Sequence, residues 1–202
     1  DRYLAAHPRL AAQLTLFLLD QRSTEVVVHL FGHSQFFSEL IIRDPELVTW
    51  LRGQPPALDR MTWAEQLGEL LAAETTEAGW LAVVRRFRRR EMLRIVYNDI
   101  VLDSPLESIT LDLSHLADAC VKAVLRLACR ELTSQFGVPR DPETEAAASY
   151  VVVALGKLGG QELNYSSDID LMCLYDVEGM TDGARAISNR EFYSRLTARI
   201  VR

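Results

Sequence analysis

Two aspartates one residue apart, Asp168 and Asp170, and a glycine pair, Gly159 and Gly160, are the residues whose types and spacing could do chemistry. An apolar run, Tyr150-Val-Val-Val-Ala-Leu155, leads into the glycines, and a second, Leu171-Met-Cys-Leu-Tyr175, follows Asp170. Short apolar runs bounded by turn residues read as strands. Residues i and i+2 of a strand point to one face. A strand opening at Asp168 therefore carries two carboxylates side by side, roughly 7 Å apart. A cation between them relieves their repulsion, and hard oxygen ligands suit Mg²⁺ or Mn²⁺. Such ions bridge phosphates and stabilise in-line displacement at phosphorus. Gly159 and Gly160 have no Cβ, so their backbone N–H groups can approach phosphate oxygens. Ser166 and Ser167 add hydroxyl donors. Lys157 either neutralises phosphate charge or caps the strand end. The chemistry that fits is a metal-dependent reaction at a nucleotide phosphate. A lone glycine pair is usually a turn, and a lone Asp-x-Asp is usually a solvated strand end. The order strand, glycine loop, Asp-x-Asp strand makes the signal specific.

The elements that must position these residues are mostly helical. Residues 1–112 read as a helical region, with apolar stretches at Leu10–Leu19 and at Phe36, Phe37, Leu40 and Ile41. Glu25–Phe31 is ambiguous between helix and strand. Asp44-Pro45 opens a helix as cap and first residue, and Pro55-Pro56 breaks the chain. Thr62-Trp-Ala-Glu65 is a capping box whose helix should run to about Gly79. One long helix is expected from Leu81 to about Leu102. It carries Arg85-Arg-Phe-Arg-Arg-Arg90-Glu91, which at about 100° per residue wraps around the helix, as a solvated or acid-paired basic run does. Another helix is expected over 115–136, with Val121, Val124, Leu125, Ala128, Leu132 and Phe136 on one face and Gly137 after its end. A polar connection, Val138–Glu145, leads to the first strand. After the second strand come a loop over 176–186 and a helix opened by the capping box Ser188-Asn-Arg-Glu191. The fold class is α+β, mostly helical. A helical region over 1–112 precedes the start of an α/β unit over 113–202.

Composition narrows the function classes. The 202 residues are 49% hydrophobic and 25% charged, as in a globular protein of one or two domains. A net charge of −6 disfavours sequence-independent nucleic-acid binding. No apolar run nears the ~20 residues that span a membrane. Cys120, Cys129 and Cys173 lie in apolar runs and read as buried free thiols. Asp1-Arg2-Tyr3 opens no secretory leader, so a cytoplasmic location is expected. The start at Asp1 and the stop at Arg202 suggest a piece of a longer protein. His29 and His33 share a helical spacing but have no acidic partner, while His7 and His115 stand alone. Trp50, Trp63 and Trp80 read as packing residues between helices.

Over Gly156-Lys-Leu-Gly-Gly-Gln-Glu-Leu-Asn-Tyr-Ser-Ser-Asp-Ile-Asp-Leu171, the chain resembles the glutamine synthetase adenylyltransferase family (glutamate–ammonia-ligase adenylyltransferase). That family belongs to the DNA-polymerase-β-like nucleotidyltransferases. Phe31-Gly-His-Ser34, Arg43-Asp-Pro-Glu-Leu47, Arg86-Phe-Arg-Arg-Arg-Glu-Met-Leu-Arg94 and Leu116-Ala-Asp-Ala119 match family features in the same order. The resemblance implies a bifunctional enzyme with two nucleotidyltransferase halves. One half transfers AMP from ATP to a tyrosine of glutamine synthetase. The other removes it by phosphorolysis, releasing ADP. Asn164 resembles the removing half, where Asn commonly stands at that position, whereas Met180-Thr-Asp-Gly183 looks somewhat like the transferring half.

The resemblance also assigns roles: Asp168 and Asp170 as metal ligands, and Gly159, Gly160, Ser166, Ser167 and Lys157 toward nucleotide phosphate. The implied cofactor is Mg²⁺, with Mn²⁺ possible, and the nucleotide is ATP or ADP. The implied partners are glutamine synthetase and a nitrogen-signalling regulatory protein. The superfamily's third metal carboxylate lies on a later strand, in a segment like Val-Asp-x-Arg-Leu-Arg-Pro that does not occur before Arg202. This stretch alone is therefore expected to have little or no activity. The rival readings are the AMP-transferring half, a nucleotidyltransferase acting on an antibiotic or a tRNA end, and a nucleotide-sensing or protein-binding module without turnover.

Overall fold

A computed structural model describes residues 60–201 of the chain, together with Val28, Gly32 and Glu39 before them. The other elements expected over 10–56, His7, the His29/His33 pair, Trp50 and the family-like segments 31–34 and 43–47 otherwise lie outside the described residues. Val28, within the ambiguous 25–31 run, is helical.

From Arg60 onward the described elements begin with three helices: α1 (Arg60–Ala72), α2 (Glu77–Ile100) and α3 (Leu106–Phe136). Strand β1 (Tyr150–Leu155) then leads through a one-turn helix α4 (Gly156–Gly159) to β2 (Asp170–Tyr175), and α5 (Asn189–Ile200) closes the order. The described chain is α+β and mostly helical, as expected.

The boundaries differ where tertiary packing overrides local signals. Thr62-Trp-Ala-Glu65 does not cap α1, which already begins at Arg60. Trp63 is fully buried, and its packing holds the helix past the local cap. Nor does α1 run to Gly79; it ends at Ala72. Thr76 caps the next helix instead, its hydroxyl oxygen accepting from the Gly79 N–H at 3.1 Å. Consequently α2 starts at Glu77 and not at Leu81. Pro105 stands at the N-cap of α3, which starts well before residue 115 and runs across 112/113. The Ser188 cap is as expected: its hydroxyl accepts from Glu191 N at 3.2 Å.

Helix α3 serves two cores. Its first half packs Ile109, Leu113 and Leu116 with Trp63 and Leu67 of α1, Phe87 and Ile95 of α2, and Leu158 and Leu163 of the glycine segment. Its second half packs Ala128, Leu132 and Phe136 with Phe192, Tyr193 and Leu196 of α5. Gly137 ends α3 at φ +86°, a conformation that favours glycine, and a Cβ there would lie 2.1 Å from Gly183 N. Cys129 is exposed, against expectation, because the residue beside core-facing Ala128 points outward.

Strands β1 and β2 pair antiparallel, from Tyr150 opposite Tyr175 to Leu155 opposite Asp170. The inner face carries Tyr150, Val152, Ala154, Leu171, Cys173 and Tyr175, all half-buried. Tyr193 of α5 stacks on Tyr150 and Tyr175 with ring centroids 5.0 and 5.2 Å away. On the outer face, Val151, Leu155, Met172 and Leu174 are exposed, and Asp170 stands at its end.

The helical region contains a fully buried ion pair. The Glu91 carboxylate accepts from Arg94 Nε at 2.9 Å, from Trp63 Nε1 at 2.9 Å and from Arg90 Nε at 2.8 Å. Arg94 lies over the Trp63 ring at 4.8 Å, and its two Nη atoms are buried without a hydrogen-bond partner among the described residues. Removing one charge from a buried pair leaves the other uncompensated, at a cost of about 3–5 kcal/mol. Glu91→Gln should therefore destabilise the fold by about 3–5 kcal/mol in urea denaturation. Lys122→Ala, which breaks the exposed 3.8 Å pair with Asp118, should cost less than about 1 kcal/mol. Equal effects of the two substitutions would mean that the buried charge is not what joins α1 to α2.

Candidate active site

Local backbone requirements build the site. At the end of β1 the chain turns sharply, with Gly156 at φ +55°. A Cβ on Gly156 would also come within 3.0 Å of Asp170 Oδ2, so this glycine sits directly against the carboxylate. The turn of α4 is tied by Gly160 N–H to Gly156 O at 3.0 Å and by Glu162 N–H to Lys157 O at 2.8 Å. A Cβ on Gly159 would lie 2.5 Å from the Ala154 carbonyl oxygen, so the helix turn can meet the strand only through a glycine. Gly160 differs. Its nearest neighbour would be 3.6 Å away at an ordinary helical φ of −81°. Gly156 and Gly159 are thus the demanding positions, and Gly156 was not singled out from the sequence although it stands in the same motif.

The loop from α4 to β2 is fastened to the helices. Leu158 and Leu163 are buried in the helical core. The Leu163 N–H donates to Ser114 Oγ of α3 at 3.2 Å. The Tyr165 hydroxyl donates to Asp99 Oδ2 of α2 at 2.9 Å. Burial, and then the bond to Asp99, push the Tyr165 phenol above its ordinary range, so it remains a donor. Ser114 and Asp99 carry no sequence signal, because nothing local marks them as partners of a loop about fifty residues downstream or more.

Within the loop, Asn164 organises the turn. Its Oδ1 accepts from Ser167 Oγ at 2.6 Å and from the Ser166 N–H at 3.2 Å, while its own N–H donates to Ser167 Oγ at 3.3 Å. The Ser166 hydroxyl also turns toward Asn164 Oδ1, at 3.4 Å. Both serine hydroxyls, expected as phosphate donors, serve this Asx-type turn here. Asp168 follows in a stretch without regular structure and β2 begins only at Asp170, so the two aspartates do not both lie in a paired strand as expected. The pairing stops at Leu155 because α4 leaves the sheet there.

Asp168, Asp170 and Lys157 are all exposed. Neither carboxylate makes a side-chain hydrogen bond or ion pair with another described residue. Carboxylate oxygens are hard ligands of the kind Mg²⁺ or Mn²⁺ takes, and of the two only Asp170 stands against the Gly156 turn. Among the described residues, no group of three or more His, Cys, Asp or Glu side chains is gathered to hold a metal ion.

A cavity of about 350 Å³ opens beside the loop. Met92 of α2 and Leu113, Leu116, Cys120 and Val124 of α3 form its apolar wall; Asn164, Ser167 and Asp168 border it from the loop and Arg88 from α2. Its volume falls within the range of small-molecule sites, about 300–1,000 Å³. Of the arginine run, Arg85, Arg86 and Arg88 are exposed.

The two loop glycines separate in a stability test. Gly159→Ala should lower stability by about 1–3 kcal/mol, because its Cβ meets fixed backbone. Gly160→Ala should be neutral or stabilising by up to about 1 kcal/mol, because its conformation suits alanine. Thermal unfolding of the two variants checks this; the reverse order would contradict the α4 geometry.

The glutamate-ammonia ligase adenylyltransferase family model matches residues 24–202. A bifunctional glutamine synthetase adenylyltransferase/adenylyl-removing enzyme of Shewanella loihica is 34% identical over 203 residues, covering 100% of this chain and 21% of that protein. The proteins of the same name from Nitrosococcus oceani and Bordetella pertussis are 36% and 37% identical over 85% and 78% of this chain, and over 18% and 17% of their own lengths. The chain thus spans about a fifth of the relatives it matches. No described helix is long and apolar enough to cross a membrane. With the family model matched over most of its length, the chain belongs to the glutamate-ammonia ligase adenylyltransferase family.

Proposed function

We propose that this chain forms part of a bifunctional enzyme controlling glutamine synthetase by reversible adenylylation, and that it belongs to the half that removes AMP. The observation that carries the reading is two exposed carboxylates without a partner among the described residues, Asp170 against the Gly156 turn and Asp168 two residues before it in the same loop. A divalent cation held there would neutralise charge on the phosphates and favour displacement at phosphorus. An oxygen of orthophosphate forms the new bond to the adenylyl phosphorus. The bond from phosphorus to the tyrosine oxygen breaks, ADP leaves, and the phenol takes up a proton. Orthophosphate is already anionic, so the step needs no strong general base.

The fastened loop supports this reading. Buried Leu163 and the bonds to Ser114 and Asp99 fasten the loop ahead of Asp168 without help from a ligand, and such preorganisation favours catalysis. Asn164, which organises the Ser166-Ser167 turn, supports the removing assignment through its resemblance alone. The cytoplasm, glutamine synthetase and a nitrogen-signalling regulator are the setting and partners that go with this reading.

Asp168→Asn in the intact protein tests it. With adenylylated glutamine synthetase, Mg²⁺ and orthophosphate, ADP release should fall about 100-fold or more, given the several kcal/mol that a metal supplies. AMP transfer from ATP to the unmodified target should persist. Loss of transfer with persistence of removal would assign the chain to the transferring half. If both reactions survive, the carboxylates are not the metal site.

A further inference from the structure

We propose that Arg88 of α2 contacts phosphate in this site, holding a phosphate oxygen of the substrate from the helical side of the cavity. This rests on the reading of Asp168 and Asp170 given above. Arg88 and Asp168 border the same cavity, one from α2 and one from the loop. Among the described residues that line it, Arg88 is the only cationic one.

The other candidates are committed or elsewhere. Arg90 and Arg94 are bound to Glu91. Lys157 does not line the cavity. Arg88 makes no ion pair or hydrogen bond with a described residue.

The guanidinium acts inward as well as outward. Burial pushes the Cys120 thiol on the facing wall up to about 11, and the Arg88 charge opposes that rise. Met92, one turn along α2, continues the same face as apolar wall. This charge stands beside a low-dielectric wall, which focuses its field on an anion entering the cavity. Guanidinium also matches phosphate geometry, with two parallel N–H donors. The ligand chemistry is therefore a phosphate anion. It could come from the terminal phosphate of a nucleotide or from orthophosphate entering as the nucleophile.

Titration calorimetry of the intact protein in Mg²⁺ tests the proposal with adenosine, ADP and orthophosphate as separate ligands. Arg88→Gln should weaken at least one phosphate-bearing ligand by about 10-fold or more, the effect of losing a charged hydrogen bond. Adenosine affinity and Tm should not change, since Arg88 is exposed and holds no described partner. Arg88→Lys should recover part of the affinity, because it keeps the charge and loses the fork. A loss confined to ADP places Arg88 on the nucleotide; a loss confined to orthophosphate places it on the incoming nucleophile. Unchanged ADP and orthophosphate affinity overturns the proposal. A parallel loss for adenosine with a lower Tm also overturns it, because Arg88 would then be a packing residue. Asp168→Asn keeps the two readings apart. If it abolishes Mg²⁺-dependent binding while Arg88→Gln does nothing, only the arginine assignment falls. If the unaltered protein binds neither ADP nor orthophosphate, both fall.

Discussion

A carboxylate taken wholly out of water must be neutralised where it stands, and Glu91 imposes that condition on the helical region. Its three donors come from α1 and α2, so the two helices are held at one relative placement. The same condition sets the rotation of α2 about its axis. With about 100° between successive residues, turning Glu91 and Arg94 inward decides where every other arginine of that helix can point. Arg88 is left at the cavity mouth, and Asp99 is left where Tyr165 can reach it. Specificity of arrangement is the best-attested use of buried ionic groups, and here it reaches from the core to the edge of the site.

Helix α3 carries that arrangement to the sheet. Its first half belongs to the core around Trp63, and its second half belongs to the core under α5. The sheet between them has two described strands and could not support a site alone. It is held by Tyr193 against Tyr150 and Tyr175 at one end, and by Leu158 and Leu163 at the other. The glycine turn and its carboxylates therefore sit where a short hairpin meets a helical scaffold. Gly156 and Gly159 are required there because backbone and carboxylate approach more closely than a Cβ would allow.

What the sequence made legible follows from how local each signal is. The apolar runs 150–155 and 171–175 and the Ser188 cap are set by neighbouring residues, and they stand as expected. Thr62 looked like a cap because capping boxes are short patterns, yet the buried Trp63 beside it carried the helix beyond it. Asp168 was expected inside a strand because the period-two pattern continues through it, but pairing requires a partner, and α4 removes it at Leu155. Nothing in the types of Ser166 and Ser167 reveals that their hydroxyls bond Asn164 Oδ1. Ser114, Asp99 and the cavity role of Arg88 depend on helices brought together from distant parts of the chain. Arg94 was legible only as one more arginine, and its burial is a tertiary fact.

On the proposed reading, two carboxylates also constrain how a metal binds. Mg²⁺ prefers six oxygen ligands in near-octahedral geometry and gives up its water reluctantly. Asp168 and Asp170 cannot supply six, and no third acidic group stands with them among the described residues. The remaining ligands must come from water, from substrate phosphate or from protein outside these residues. Where phosphate supplies them, metal and nucleotide bind as linked events, each raising the affinity for the other by the same factor. Exposure of the two carboxylates is consistent with that linkage. A closed site of fixed ligands would hold the ion before substrate arrived, whereas an open pair retains it tightly only when phosphate completes the shell.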